Sequence, residues 1–154
     1  MPNSFLLQTI ELAVDNVRRG GGPFAAMVVR GGAVIAAGVN QVTRANDPTA
    51  HAEVVAIREA CRVLGAFQLA GCDLYTSCEP CPMCLGAIYW ARPERVFFAA
   101  TQKDAAAAGF DDEFIYREIA LPPESRRIPM LRVEDEAAAR PFEAWLGNAA
   151  RTKY

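Results

Sequence analysis

The sequence contains a single histidine, and it stands in the segment His51-Ala52-Glu53. Two cysteines at Cys-x-x-Cys spacing, Cys81 and Cys84, follow later in the chain. These three side chains can share one metal ion only in a fold that brings the two segments together. One imidazole and two thiolates leave a fourth tetrahedral position free for water, as catalytic zinc sites require. The pattern therefore predicts a catalytic zinc site.

Glu53 is left without a metal-binding role in this pattern, and we expect it to carry protons. Zinc lowers the pKa of a bound water to about 7, and a carboxylate beside that water can take its proton and return it to a ring nitrogen and a leaving amine. This chemistry is hydrolytic deamination of a heterocycle. The alternative is a closed zinc site with Cys78 as fourth ligand. It is disfavoured because Glu53 would then be a buried carboxylate without a task.

Net charge and cysteine content narrow the class of protein further. The 154 residues carry a formal net charge of −2, which disfavours a broad basic face for a nucleic acid. The N-terminal stretch runs into Glu11 and Asp15 and lacks the apolar core of a secretory signal, so we expect a cytoplasmic protein without a membrane partner. The five cysteines are an odd number and suit reduced thiols and metal better than disulfides.

Hydrophobic periodicity predicts alternating helices and strands. The predicted helices are an opening helix from Ser4 and the segments 49–64, 82–90, 111–119 and 137–150. The predicted strands are the segments 24–30, 33–39, 72–76, 95–100 and 128–133, the first two forming a hairpin at Gly31-Gly32. This alternation predicts a single α/β domain over residues 1–154, with helices on both faces of the sheet.

These segments together resemble the cytidine deaminase superfamily, whose motif is His-x-Glu or Cys-x-Glu followed by Pro-Cys-x-x-Cys. Within that superfamily the chain is most similar to bacterial guanine deaminases. The resemblance extends over nearly the whole chain. It is carried by segments 22–24, 46–53, 75–84, 108–112 and 141–145, and by the terminal Tyr154.

The resemblance implies a cytidine-deaminase-like, three-layer α/β/α fold with a five-stranded mixed sheet, usually as a homodimer. It implies conversion of guanine and water to xanthine and ammonia, with a zinc-bound hydroxide attacking C2 and Glu53 as proton shuttle. A C-terminal segment, about residues 110–154, would close the active site. Because the tail is irregular after Gly109, it stays open whether that segment closes its own site or a partner's in an exchanged arrangement.

The resemblance also implies roles for individual residues. One zinc ion per subunit would be held by His51, Cys81 and Cys84. Protons would be moved by Glu53 and Asp112. The purine would be bound by Asn40, the Ala52 backbone N–H, Phe24, Trp90 and Tyr154.

Four of these residues have simpler explanations. Phe24 and Trp90 are also typical core aromatics. Asn40 is a common turn residue, and Asp112 could be a solvated helix start.

Three other functions stay open at this point. A transfer-RNA adenosine deaminase carries the same zinc motif, but it needs basic contacts to the nucleic acid backbone, whereas the basic pairs here are scattered. A deaminase of another small amino-heterocycle, such as cytosine, guanosine or a triazine, is poorly separated by the sequence. A structural zinc protein without activity is disfavoured by the intact Glu53.

Overall fold

Four strands form one mixed sheet in the computed structural model, which describes residues 2–154. They are β1 (Ala25–Arg30), β2 (Ala33–Val39), β3 (Cys72–Cys78) and β4 (Arg95–Ala100), in the order β2-β1-β3-β4. β1 is antiparallel to both neighbours, and β3 is parallel to β4. Gly31 and Gly32 have φ of 57° and 80°, the positive values that a tight two-residue hairpin turn requires, so the predicted hairpin is confirmed.

The helices of the first compact unit, which ends at Asp112, lie mostly where the periodicity predicts them. They are α1 (Pro2–Arg18), α2 (Val42–Ala45), α3 (Ala52–Leu64), α4 (Pro82–Ala91) and α5 (Gln102–Ala107). Neither the single turn of α2 nor the short helix α5 was predicted, because four and six residues are too few to show a helical period.

The sheet of this unit is covered by helices on both faces. Side chains alternate along β1, as they do along any strand. Ala26 and Val28 join a core cluster with residues of α3 and α4, whereas Met27 and Val29 pack with residues of α1 on the opposite face. The three-layer α/β/α arrangement is therefore confirmed.

Gly38 sets how closely α3 approaches the sheet. A Cβ atom at this position of β2 would lie 2.5 Å from the Ala56 nitrogen in α3, which is far inside van der Waals contact. Only a glycine permits this approach, because the neighbouring atoms belong to helix backbone. The close packing holds the first turn of α3, and with it His51, against the end of the sheet.

The second compact unit, residues 113–154, differs in character. It contains α6 (Glu113–Ala120), two single 3₁₀ turns (Pro123–Ser125 and Glu136–Ala139) and α7 (Arg140–Gly147). The Arg126 guanidinium donates to the carbonyls of Glu118, Ile119 and Leu121 and so closes the end of α6. None of residues 113–154 is buried, although the unit includes many large apolar side chains.

The predicted fifth strand was wrong, since residues 128–133 form no strand in the described chain. Pro129 lacks the N–H that a strand ladder needs, and the Met130 N–H donates to the Pro123 carbonyl in a local turn instead. The final helix is also shorter than the predicted 137–150, because a 3₁₀ turn capped by Asp135 precedes it. Within residues 2–154, no helix combines the length and apolarity that crossing a membrane would require.

Candidate metal centre and substrate pocket

The three predicted metal ligands meet where two helices begin. His51 is the N-cap of α3 and Cys81 is the N-cap of α4, each with extended backbone geometry, and Cys84 follows in the first turn of α4. His51 Nδ1 lies 3.4 Å from Cys81 Sγ and 3.5 Å from Cys84 Sγ. Pro82 occupies the first position of α4, where its missing N–H costs no helical hydrogen bond. Both helix N-termini therefore place positive dipole ends near the thiol groups.

The donor set fits a zinc ion. Zinc bonds imidazole nitrogen at about 2.0–2.1 Å and thiolate sulfur at about 2.3 Å, so tetrahedral ligands would place nitrogen and sulfur about 3.5 Å apart. The observed separations match that value. The three ligand atoms lie within 4.8 Å of one another, and Nδ1 is the imidazole nitrogen that faces both thiols. The protein thus supplies three ligands for one metal ion.

The thiols and the imidazole share protons through the same contacts. A hydrogen bond from Cys84 lowers the pKa of Cys81 to about 4, and the contact with His51 acts in the same direction. That shared bond, together with burial, raises the pKa of Cys84. The hydrogen bond with Cys81 also raises the pKa of His51. A metal ion would displace these protons, because it binds the thiolate and the neutral imidazole.

Glu53 lies beside the ligands without being one of them. Its side chain is buried, with Oε1 3.4 Å from Thr76 Oγ1 and Oε2 3.4 Å from Cys84 Sγ. Burial raises the pKa of this carboxyl, because the charged form loses its hydration. A carboxyl with a raised pKa beside a metal site is suited to accept and return a proton near neutral pH.

Cys78 does not join the metal ligands. Its Sγ lies 3.6 Å from the Thr101 carbonyl oxygen, and burial raises the pKa of the thiol to about 11. Among the described residues, the cluster of ligand atoms consists of His51, Cys81 and Cys84. The closed site with Cys78 as fourth ligand therefore has no support, and a coordination position stays open for water.

A cavity of about 540 Å³ lies next to the ligands and is lined within the first unit by several predicted substrate-binding residues. Asn40 lines it from the end of β2, where its Oδ1 accepts from the Val42 N–H at 3.3 Å. The buried Asn16 donates to the carbonyls of Asn40 and Gly22 and so holds this corner of the cavity. The Asn40 Oδ1 is thus engaged by backbone, whereas the Nδ2 end of the amide carries donors.

Two aromatic rings line the same cavity. Phe24, just before β1, meets Phe110 edge to face, with ring centroids 5.0 Å apart and an interplanar angle of 87°. Phe110 was not singled out as a site residue, although it stood within the segment 108–112 that carried the resemblance. A flat heterocycle between the metal ligands and Asn40 would meet these apolar rings.

Asp112 lines the cavity and accepts a hydrogen bond from a neighbouring side chain. The Gln102 side-chain amide donates to Asp112 Oδ1 at 2.7 Å. The negative charge of Asp112 makes a small contribution to the raised pKa of His51, and both residues line the same cavity. Gln102 and Glu79 line the cavity as well. Glu79 stood within the segment 75–84 that carried the resemblance but was not singled out, and no motif in the sequence pointed to Gln102.

The remaining predicted site residues do not line this cavity. Trp90, near the end of α4, is 64% exposed. Ala52 is fully buried between two lining residues, and its N–H belongs to the first helical turn, where no partner exists within the helix. Tyr154 lies in the second unit, where its ring meets Trp145 edge to face at 6.5 Å. The substrate-binding roles of these three residues stay predictions.

Comparison with known proteins agrees with this geometry. Residues 2–100 match the family model for the cytidine and deoxycytidylate deaminase zinc-binding region. Guanine deaminase of Bacillus subtilis (strain 168) is 59% identical over 152 residues, which is 98% of this chain and 97% of that protein. A tRNA-specific adenosine deaminase of Aquifex aeolicus is 42% identical over 99 residues, 64% of this chain and 66% of that protein.

Solved structures give the same result. The crystal structure of guanine deaminase from Bacillus subtilis superimposes with a TM-score of 0.97 and covers 99% of this chain and 98% of its own. A guanine deaminase structure from Nitrosomonas europaea is 38% identical, with a TM-score of 0.67, and covers 70% of this chain and 63% of its own. The matched zinc-binding region contains His51, Glu53, Cys81 and Cys84, so the chain belongs to the cytidine and deoxycytidylate deaminase family of zinc-binding proteins.

Proposed function

We propose that the protein is a zinc-dependent hydrolase that converts guanine and water to xanthine and ammonia. The observation that carries the proposal is the extent of the likeness to guanine deaminase. That likeness runs over 98% of the chain, whereas the likeness to the Aquifex aeolicus tRNA deaminase runs over 64%. The part beyond the zinc-binding region is therefore also of the guanine deaminase type.

The metal site supplies the first part of the chemistry. His51, Cys81 and Cys84 would hold the ion. When bound, zinc supplies a Lewis acid that lowers the pKa of a coordinated water to about 7. Glu53 lines the same cavity as His51 and Cys81 and would lie near a water held by the metal.

The protons of the reaction need carriers. Addition of water to C2 of guanine and loss of the 2-amino group release ammonia. Both water protons move, one to a ring nitrogen and one to the amine. Glu53 takes a proton from the attacking water and passes it to the ring nitrogen, and Asp112, which lines the same cavity, serves the amine. Two carboxyl groups match the two proton acceptors of the purine.

The cavity lining supports a small neutral base as substrate. Its lining includes four carboxylate residues, Glu53, Glu79, Asp111 and Asp112. Among the described residues, no Lys or Arg lines it. A phosphate group would be repelled there. Asn40 would offer its amide N–H groups to a purine acceptor atom, the Ala52 N–H would contact the base, and Phe24 would pack on the ring.

The second unit suggests how the site is completed. None of the apolar side chains of residues 113–154 is buried. Ile128, Leu131 and Val133, for example, are each at least 76% exposed. Apolar area of this kind marks an interaction surface. We propose a homodimer in which the segment of about residues 110–154 closes an active site, its own or by exchange the partner's, with Tyr154 and Trp90 next to the base. The five free thiols suit a reducing, cytoplasmic compartment.

The test is ammonia release from guanine, with adenine, cytosine, guanosine and an anticodon stem-loop alongside, on zinc-loaded protein. We expect turnover of guanine far above the other substrates. Activity on the stem-loop with none on guanine would favour a transfer-RNA adenosine deaminase. Equimolar zinc without activity on the whole panel would indicate a structural zinc protein.

A further inference from the structure

We propose that Gln102 is a positioning residue that orients the Asp112 carboxylate toward the reacting amine. The inference rests on the proposed function, because it concerns the second proton carrier of that reaction. Gln102 begins α5, lies at the cavity and belongs to no motif of the sequence. Its role is inferred from the contacts that hold its backbone and from the one that its side chain makes.

The backbone of Gln102 is held from two sides. Thr101 and Asp104 form a reciprocal capping box at the start of α5, with Asp104 Oδ2 2.8 Å from the Thr101 nitrogen. Glu79 Oε2 accepts the Gln102 N–H at 2.9 Å, and the Glu79 N–H donates to the Ala100 carbonyl. An N–H that no helical acceptor could satisfy is thereby paired, and the Cα of Gln102 is held firmly.

This anchor ties Gln102 to the metal centre. Glu79 precedes the ligand Cys81 by two residues, in the segment that joins β3 to α4. One hydrogen bond therefore links that segment to the start of α5, and a second links Gln102 to Asp112. These two bonds, with the Glu79–Ala100 backbone bond, help to fix the position of Asp112 relative to the metal ligands.

The side chain of Gln102 donates to Asp112. Its amide lies 2.7 Å from Asp112 Oδ1. An ionised carboxylate only accepts hydrogen bonds, so the NH₂ group, not the carbonyl oxygen, faces it. Both residues are half-buried at the cavity. Asp112 itself lies in the irregular stretch after Gly109, whose φ of 93° ends α5 in a left-handed turn, so secondary structure does not orient its carboxylate.

A neutral amide is suited to this task. It binds one carboxylate oxygen and leaves Oδ2 free for a substrate amine. A guanidinium or ammonium group at this position would stabilise the charged carboxylate and hinder its protonation, whereas an amide does so far less. Gln102 therefore restricts the rotation of Asp112 while the carboxyl can still exchange a proton.

The experiment is a double-mutant cycle on zinc-loaded protein with guanine as substrate. Gln102→Met keeps the length of the side chain and removes the donor. We expect kcat to fall about tenfold with KM changed less than about twofold, the size expected for losing a hydrogen bond to a charged group. In the Asp112→Ala background, the same substitution should lower kcat by less than about twofold, because there is no carboxylate left to position. Gln8→Met, on the exposed side of α1, is the matched control and should leave kcat unchanged.

Several results would overturn the inference. One is an equal loss from Gln102→Met in both backgrounds, since that would show an effect independent of Asp112. Unchanged kcat in Gln102→Met is another. If the activity of Asp112→Ala falls below detection, a crystal structure of zinc-loaded Gln102→Met tests the inference instead. An Asp112 carboxylate that keeps its original position in that structure would contradict the positioning role of Gln102. Failure of the proposed function is separate, because wild-type protein would then release no ammonia from guanine.

Discussion

The two ends of the cavity are built differently. At the metal end, His51, Cys81 and Glu53 belong to the first residues of helices that pack on the sheet, and Cys84 is fully buried. At the other end, which we propose binds the base and call the base-binding end, most lining side chains lie on connecting segments and are half-buried or exposed. The comparison teaches that the metal ligands of the family lie at the starts of packed helices, whereas the residues that we propose select the substrate lie mostly on loops.

Removal of the metal should have the largest effect on activity. A smaller effect would contradict the assignment of the chemistry to the metal end of the cavity. Dialysis against a chelator should abolish ammonia release from guanine, since the three ligands hold the group that activates water. Adding one equivalent of zinc should restore activity, and magnesium should not, because thiolate ligands select against it. Full activity at less than about a tenth of an equivalent of bound metal would contradict the proposed chemistry.

Glu53→Gln should have the next largest effect. The amide keeps the shape of the side chain but cannot carry a proton, so kcat should fall at least about 10³-fold, within the range that acid–base groups contribute. Zinc content, measured by atomic emission, should stay at one ion per chain. Glu59→Gln, on the exposed side of the same helix, is the control and should change kcat less than about twofold. Wild-type turnover in Glu53→Gln would remove this residue from the reaction.

Asn40→Ala examines the base-binding end and should act mainly on binding. We expect KM for guanine to rise about tenfold with a smaller change in kcat, because in the proposed site this amide binds the base and not the reacting atoms. Steady-state kinetics measure both values. Asn3→Ala, exposed on α1, is the matched control. A loss confined to kcat would show that Asn40 belongs functionally to the metal end.

Deletion of Tyr154 should have the smallest effect. If the C-terminal segment closes the site, loss of this ring should raise KM for guanine about threefold and leave zinc content unchanged, because an aromatic contact contributes about 0.5–1.5 kcal/mol beyond its buried area. Lys153→Ala keeps the terminal tyrosine and serves as the control. An unchanged KM would show that Tyr154 lies outside the site. The substrate would then be bound by residues of the first unit without this ring.

Much of the metal end could be predicted from the sequence. A helix N-terminus has a recognisable pattern, and ligand spacing follows from zinc coordination, so His51, Cys81 and Cys84 were identified without coordinates. The hairpin at Gly31-Gly32 was predictable for the same reason, since few residues adopt the required positive φ. The fifth strand was predicted wrongly because an apolar run signals burial but does not specify a neighbouring strand.

The sequence by itself determined the ligand set, the presence of a carboxyl group beside it and the alternation of helices and strands. These features depend on which residue types occur and on their spacing over a few positions of the chain. Only the tertiary structure brought Gln102 into contact with both Glu79 and Asp112 and placed Phe110 against Phe24. It also set the close approach of α3 at Gly38. Such contacts join segments distant in the chain, and their geometry follows from packing of the whole sheet and its helices, which no local pattern encodes.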